Sequence, residues 1–279
     1  MARLLTFISN RPDVGVRAIE HDQRHLSVRV KPGVVPGWGV GFYQAGEILL
    51  KRRPIDDRPV IDLAPITKDI RADILLAHVR SGTVGAPRTE NTHPFRYRQW
   101  LFAQTGTVES FSAIRGRTLE SLPAFLARDV KGDTDSELIF HLFLSFLHDM
   151  GHIDRPAVDP ASARSALSAC VSLVDRLCAE QGAAPSALNL VVTCSDYVLA
   201  LHGGAKMAYR VYNGRHEMER LLSDGGLTKT RTSEESRGRL TLLASDFDDD
   251  QPPPGWTSVP ERAIVTLTRT DDPQVESLQ

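Results

Sequence analysis

One predicted helix, apolar on nearly every side, most constrains how this chain can fold. Thr134 and Glu137 have the spacing of a capping box, in which the first side chain caps the helix and the second reaches back to its start. They directly precede the run LIFHLFLSFLHDM at residues 138–150. A helix on the surface needs a polar face, so a helix of this composition has to be buried between other layers.

Short β-prone segments supply those layers. The runs GWGVGFY and EILLKR are predicted to pair as a hairpin, and NLVVTCSD, YVLALHGG and KMAYRVYN are predicted to form a meander after a second helix over residues 160–181. About ten strands are predicted in all. The pattern fits two stacked antiparallel sheets covered by helices, and it also fits a β-sandwich with added helices.

Composition narrows the classes of partner. The 279 residues carry a formal net charge of −2 and a pI near 6.5, which leaves no basic surface for nucleic acid or an anionic membrane. No apolar run approaches the eighteen or so residues that span a bilayer, and the start lacks a signal-peptide pattern, so we expect a cytoplasmic protein. We predict a single domain over residues 1–271 and a disordered tail over residues 272–279.

No metal and no cofactor is expected. His141, His148 and His152 share a helix face and raise the alternative of a metal site. No carboxylate or cysteine is placed to complete a zinc shell, so we favour histidines at the edge of an apolar helix. The three cysteines are expected to be reduced and buried as small hydrophobic residues.

The stretch of residues 74–95 reads ILLAHVRSGTVGAPRTENTHPF and combines a buried strand with a polar loop. Arg80, Thr83 and His93 lie where the strand meets that loop, a position at which proteins commonly bind small anions. The alternative for Arg80 is a purely structural ion pair. The sequence therefore predicts a candidate anion site at this end of the strand.

Five segments together resemble the class II, or N-terminal nucleophile, glutamine amidotransferases. They are MARLLTFIS at the start, GWGVGFY at 37–43, AHVRSGTVG with NTHPF inside 74–95, WLFAQTGTV at 100–108 and GDTDSELIF at 132–140. The most similar subgroup is the stand-alone bacterial amidotransferase-like proteins, which include the ergothioneine-pathway amidohydrolase type. This resemblance implies an α+β fold of four layers, αββα, with two stacked, mainly antiparallel sheets covered by helices.

The resemblance also implies which residues bind the amino-acid end of glutamine. Arg80 would hold the α-carboxylate with its planar fork of donors, and Asp135 would accept the α-ammonium. Thr83 and His93 would support the pocket, with His93 in a fixed structural hydrogen bond, and Trp38 would line it. Two plain alternatives remain, in which Asp135 only interacts with the helix dipole and Trp38 is core.

The residues that would carry the chemistry depart from the family pattern. The family has a nucleophilic Cys at the position of Ala2, which becomes the first residue if Met1 is removed. The family's His-Asn-Gly turn, whose Asn side chain and Gly amide form the oxyanion hole, reads Gln104-Thr105-Gly106 here. The Gly106 amide is retained, but Thr105 offers a hydroxyl in place of the amide group.

Three functional hypotheses follow from this contrast. The first is a catalytically silent domain that binds glutamine or a γ-glutamyl compound as a sensor or as a partner-binding module. The second is an active γ-glutamyl amidohydrolase or amidotransferase that uses water or an unrecognised nucleophile, with an engineered Cys-to-Ala change as a variant of it. The third is a structural or interaction protein. Any ammonia-using partner would be a separate polypeptide, and the oligomeric state is left open.

Overall fold

Two antiparallel sheets and their covering helices form the described part of the chain. The computed structural model describes residues 2–81, 85–223, 238–247 and 251–278. The strands are β1 (Arg3–Ser9), β2 (Val28–Arg29), β3 (Pro36–Gln44), β4 (Glu47–Arg53), β5 (Val60–Ile61), β6 (Ile74–Ser81), β7 (Phe95–Tyr97), β8 (Trp100–Thr105), β9 (Asn189–Thr193), β10 (Val198–His202), β11 (Met207–Asn213), β12 (Arg239–Ser245), β13 (Thr257–Ser258), β14 (Ala263–Leu267) and β15 (Gln274–Ser277). The helices are α1 (Gly15–His21), α2 (Gln23–Leu26), α3 (Leu63–Thr67), α4 (Phe111–Ser121), α5 (Ala124–Asp129), α6 (Asp135–Asp149), α7 (Pro160–Ala179) and α8 (Arg215–Ser223).

The larger sheet has the strand order β13-β11-β12-β1-β6-β3-β4, and the second has the order β15-β14-β10-β9-β8-β7. Strands β2 and β5 form a separate pair. Every strand pairing in the described residues is antiparallel. Among the described helices, none is long and apolar enough to cross a membrane.

Three hydrophobic cores separate four layers. The first lies between the seven-stranded sheet and helices α1, α2, α3 and α8, the second between the two sheets, and the third between the six-stranded sheet and helices α4 to α7. Leu4 and Leu76 of one sheet meet Leu101 and Val191 of the other in the middle core. The predicted αββα architecture is therefore confirmed, and the sandwich alternative is excluded.

Helix α6 is buried along most of its length, as its composition predicts. The hydroxyl of Thr134 accepts the Glu137 amide N–H at 3.2 Å, which confirms the N-cap. The second half of the capping box differs from the prediction. The Glu137 carboxylate accepts the amides of Lys131 and Gly132 at 2.9 and 2.6 Å. It therefore holds the loop that precedes the helix.

The hairpin and the C-terminal segments show what local patterns capture. Strands β3 and β4 pair across a two-residue turn in which Ala45 and Gly46 have φ of 51° and 82°, as the predicted hairpin requires. The predicted meander is wrong in its third strand, because β11 pairs with β12 in the other sheet. The tail predicted to be disordered instead forms strand β15 along β14, with Val275 opposite Val265.

A pair of buried histidines lies in the layer between the sheets. His78 is 2% exposed and His93 is 5% exposed, with ring centroids 4.2 Å apart. Burial lowers the pKa of His78 to about 3, with Arg80 acting in the same direction and the Gln104 backbone against it. Burial, followed by the charges of His78 and Arg52, also lowers the pKa of His93 well below its usual value. Both rings are therefore neutral in the folded protein at neutral pH.

This pair predicts an acid-sensitive stability. A histidine that is neutral when folded titrates near 6.5 in the unfolded chain, so the unfolded state binds more protons below that pH and stability falls as pH falls. Chemical denaturation should show a loss of roughly 2–3 kcal/mol from His78 between pH 7.5 and 4.5, and a further loss in the same direction from His93. We expect His78→Phe to reduce this loss, whereas a change at exposed His148 should not. Equal pH dependence in the wild type and the His78→Phe variant would contradict the assignment.

Candidate functional site

The start of β1 lies beside the polar end of β6. Arg3 pairs with Val79, and Arg80 pairs with Gly37 on the other side. Continuing the same register places Ala2 opposite Arg80. Because side chains alternate along a strand, Ala2 shares the face of Leu4, which belongs to the core between the sheets. The structure therefore brings two of the predicted site positions, Ala2 and Arg80, together at one end of the seven-stranded sheet.

Arg80 is a buried cation at this end. Its side chain is 7% exposed, and Nη2 donates to the carbonyl of Gly85 at 2.6 Å. Burial lowers the pKa of the guanidinium, and the charge of Asp133 acts in the opposite direction. An arginine keeps its charge under such a shift, and its fork has five N–H donors. The buried Arg80 guanidinium is therefore a candidate to hold a ligand carboxylate.

Asn91 and Asp133, which sequence reasoning missed as site residues, form the wall beside Arg80. Asn91 donates to Asp133 Oδ1 at 2.5 Å and accepts the Asp133 amide at 3.1 Å. It thereby joins the segment after β6 to the loop before α6. A methyl group at Gly85 would lie 2.9 Å from Thr134 Cγ2, so the backbone beside Arg80 runs directly against the start of α6. Asn91 opens the run NTHPF, which was the available signal.

Asp135 connects the start of α6 to the turn after β8. It is 4% exposed, and its Oδ2 accepts the Val108 amide at 2.8 Å. Its Oδ1 accepts the amide of Ser136 at 2.8 Å and the hydroxyl of Ser136 at 3.2 Å. Burial raises the pKa of this carboxyl. A carboxylate offers about four acceptor positions, so these three bonds leave room for one more donor.

Gly106 has a conformation and surroundings that only glycine tolerates. Its φ is +96°, and a methyl group there would lie 2.1 Å from the Ala187 carbonyl oxygen. Thr105 precedes Gly106, is 6% exposed and pairs with Asn189 of the neighbouring strand β9. Gln104 lies two positions from Phe102, on the helix-facing side of β8, and both of its amide atoms are buried without a hydrogen-bond partner in the described residues.

Asn189 is an amide group directly opposite Thr105, but it is already engaged. Its Nδ2 donates to the Ala205 carbonyl at 2.6 Å. Its Oδ1 accepts the amides of Gly203 and Gly204 at 3.1 and 3.0 Å. The side chain is fully buried, so these bonds cannot be exchanged for water at low cost. Asn189 therefore does not replace the asparagine that the resemblance places at position 105.

The three thiols lie in another layer of the molecule. Cys170, Cys178 and Cys194 all belong to the core between the six-stranded sheet and helices α4 to α7. Burial raises the pKa of Cys170 and of Cys194, which disfavours the nucleophilic thiolate. Cys178 donates to the Glu109 carbonyl at 3.2 Å. None of the three faces the layer that contains Ala2.

One serine hydroxyl does share the face of Ala2. Ser245 pairs with Met207, and the β1–β12 register places it opposite Leu4. Its side chain is fully buried, and its hydroxyl has no hydrogen-bond partner in the described residues. A hydroxyl needs an adjacent base to act as a nucleophile, and no hydrogen-bonded base contacts this one.

The remaining predicted site residues have different outcomes. Trp38 lies in the core on the helix side of the seven-stranded sheet with Val79, and its Nε1 donates to Asp56 at 2.8 Å. The alternative of a core tryptophan is therefore the one that fits, because alternation puts Arg80 on the opposite face. Thr83 lies outside the described residues.

His93 supports the site by packing. Its ring lies between those of His78 and Phe95, with centroids 4.2 and 4.6 Å away and ring planes tilted by 52° and 55°. Neither ring nitrogen has a hydrogen-bond partner in the described residues. The predicted structural hydrogen bond of His93 is therefore not formed with any residue that the structure describes.

No metal centre is evident in the described ranges, where no group of three or more His, Cys, Asp or Glu side chains is placed to hold an ion. His141 illustrates why. Its Nδ1–H donates to the Glu137 carbonyl at 2.8 Å within the same helix. Its Nε2 lies 3.5 Å from Asp129 Oδ2.

Comparison with known proteins gives a family match over most of the chain. The family described as "Glutamine amidotransferases class-II" matches residues 1–245. The chain is 27% identical over 154 residues to the probable glutamine amidotransferase DUG3 of Saccharomyces cerevisiae, covering 53% of this chain and 43% of that protein. It is 32% identical over 114 residues to the gamma-glutamyl-hercynylcysteine sulfoxide hydrolase of Mycobacterium tuberculosis, covering 40% and 47%. The matches span less than half the length of these relatives.

Solved structures show the same fold over the whole chain. A glutamine aminotransferase class-II domain protein from Silicibacter pomeroyi has a TM-score of 0.60 at 18% identity, with 99% of both chains covered. A predicted glutamine amidotransferase from Pseudomonas aeruginosa has a TM-score of 0.58 at 17% identity, with 97% and 95% covered. The family match covers well over half of the sequence, and the fold is the one that these neighbours share. The chain belongs to the class II glutamine amidotransferases.

Proposed function

We propose that this protein binds the amino-acid head group of glutamine or of a γ-glutamyl compound and does not cleave its amide. The observation that carries the proposal is the pairing register that puts Ala2 opposite Arg80. The buried guanidinium would hold the carboxylate of the ligand. The neighbouring position, which in the family carries the nucleophilic thiol, ends in a methyl group.

Binding rests on two buried charges of opposite sign. Arg80 would hold the α-carboxylate in a bidentate pair, and Asp135 would use its remaining acceptor position for the α-ammonium. Both side chains are already fixed by backbone partners, so little side-chain entropy is lost on binding. Thr83 would complete the loop over the ligand, as the resemblance implies.

Turnover is expected to fail for two independent reasons. Ala2 has no atom that can attack an amide, and the three thiols lie in a different layer. The oxyanion hole would lack its side-chain donor, since Thr105 replaces the asparagine and the amide of Asn189 is engaged elsewhere. Loss of one such donor alone typically reduces turnover by about 10²–10³.

A γ-glutamyl compound is a reasonable ligand because the named mycobacterial relative is a hydrolase of such a molecule. The distal half of the ligand would lie outside the head-group pocket. A protein that binds without cleaving would act as a sensor or as a partner-binding module for a separate polypeptide. A cytoplasmic location and a single domain stay part of this proposal, with strand β15 included in that domain.

Isothermal titration with glutamine tests the binding half. We expect saturable binding by the unmodified protein and a loss of at least about tenfold in affinity for Arg80→Gln, because a charged hydrogen bond is worth about 1.5–3 kcal/mol. The matched control is Arg88→Gln, an exposed arginine in the following segment, which should bind as the wild type does. The absence of heat at millimolar glutamine would contradict the proposal.

Ammonia release from glutamine tests the chemical half. The unmodified protein should release none above background, whereas Ala2→Cys should give measurable turnover once Met1 has been removed. Adding Thr105→Asn to Ala2→Cys should raise turnover by about 10²–10³, because it restores the second oxyanion donor. Intact-mass measurement checks the processing of Met1. Glutaminase activity in the unmodified protein would overturn the silent-site proposal, and its loss in Ser245→Ala would identify the nucleophile.

A further inference from the structure

A cavity of about 230 Å³ lies where the edges of the two sheets meet helices α5 and α6, on the side of α6 opposite to Asp135. Its sheet wall contains Arg52 and Arg96, and its helix wall contains Asp129 and His141. We propose that this cavity is a second ligand site that takes a small zwitterion, such as a free amino acid or a short peptide. Its carboxylate would bind at the sheet wall and its ammonium group at the helix wall.

The two arginines of the sheet wall present unused donors. Arg52 of β4 donates one N–H to the Pro94 carbonyl beside β7, and Arg96 of β7 donates to the Ile48 carbonyl of β4 at 3.1 Å. Each guanidinium thus clamps the edge of the opposite sheet. Within the described residues, neither has a carboxylate at salt-bridge distance.

Arg52 in particular has an orphaned donor. Its side chain is half-buried, and its Nε–H is buried without any hydrogen-bond partner in the part of the chain described. Burial lowers the pKa of Arg52, and the negative charges of Glu137 and Glu90 act in the opposite direction. A buried guanidinium N–H without an acceptor is costly, and a ligand carboxylate in the cavity would supply the acceptor.

The helix wall has complementary acceptors. His141 is 3% exposed and uses Nδ1–H as a donor to the Glu137 carbonyl, so in the neutral ring Nε2 is an acceptor. This Nε2 has no hydrogen-bond partner in the described residues, and the Asp129 carboxylate lies 3.5 Å from it. The ammonium of Lys131 is 3.8 Å from the other oxygen of Asp129. An incoming ammonium group would meet the His141 nitrogen and Oδ2 of Asp129, with Lys131 facing the other Asp129 oxygen and Glu137 also in the lining.

This cavity is distinct from the head-group pocket. Asp135 and Glu137 are two residues apart on α6, which places them about 200° apart around the helix. The Asp135 carboxylate holds the Val108 amide, whereas that of Glu137 holds the Lys131 and Gly132 amides on the cavity side. A ligand at Arg52 therefore does not compete for the groups that would bind glutamine at Arg80.

Titration with glycylglycine tests the proposal, with acetate and methylammonium as probes that carry only one of the two charges. We expect saturable binding of glycylglycine by the full-length protein and weaker binding of either single-charge probe. Arg52→Gln and Asp129→Asn should each weaken glycylglycine binding by about tenfold or more. Arg128→Gln, an exposed arginine next to Asp129, and Arg80→Gln should leave it unchanged.

Two variants guard against a folding artefact. Arg52→Gln removes the bond to the Pro94 carbonyl and so risks destabilising the fold, whereas Asp129 is 38% exposed and contacts only His141 and Lys131 among the described charged groups. If Arg52→Gln does not fold, Asp129→Asn alone decides. The proposal is overturned if glycylglycine shows no saturable binding in the millimolar range. It is also overturned if Arg80→Gln abolishes binding while Asp129→Asn retains it, because the ligand would then lie in the head-group pocket.

Discussion

The pairing of β1 with its two neighbours is the constraint on which the candidate site depends. β1 lies between β12 and β6, so its register is set from both sides and its first residues cannot shift without moving every side chain to the opposite face. Arg3 reinforces this position, since its side chain is fully buried and donates to the carbonyls of His25 and Asp246. The result is that position 2 is held beside Arg80 whatever residue occupies it.

Several features that look catalytic are also required by the fold. Glycine is the only residue type that fits at position 106, beside the Ala187 carbonyl. The presence of Gly106 therefore does not by itself indicate an oxyanion hole. Asp135 fastens the Val108 amide and would be needed for that purpose without any ligand. The functional proposal therefore rests on the side chains that the scaffold does not explain, which are the buried cation at Arg80 and the absent thiol at position 2.

Local signals in the sequence predicted local structure well. The N-cap at Thr134, the buried helix α6 and the turn at Ala45 and Gly46 each depend on residues within a few positions of one another. Sheet membership depends on distant partners, so neither the transfer of β11 to the other sheet nor the pairing of the tail as β15 was visible. At the site, short motifs pointed to Arg80 and Asp135, whose binding roles stay predictions. The face of Trp38 and the ring contacts of His93 depend on which layer each strand joins.

A crystal structure of the protein soaked with glutamine tests the central claim most directly. The account predicts an intact glutamine whose α-carboxylate lies within hydrogen-bond distance of the Arg80 guanidinium, with the side-chain amide directed toward the methyl group of Ala2. Density for glutamate in that position, or for a covalent bond from the ligand to any side chain, would contradict it. So would a fully occupied glutamine with no contact to Arg80.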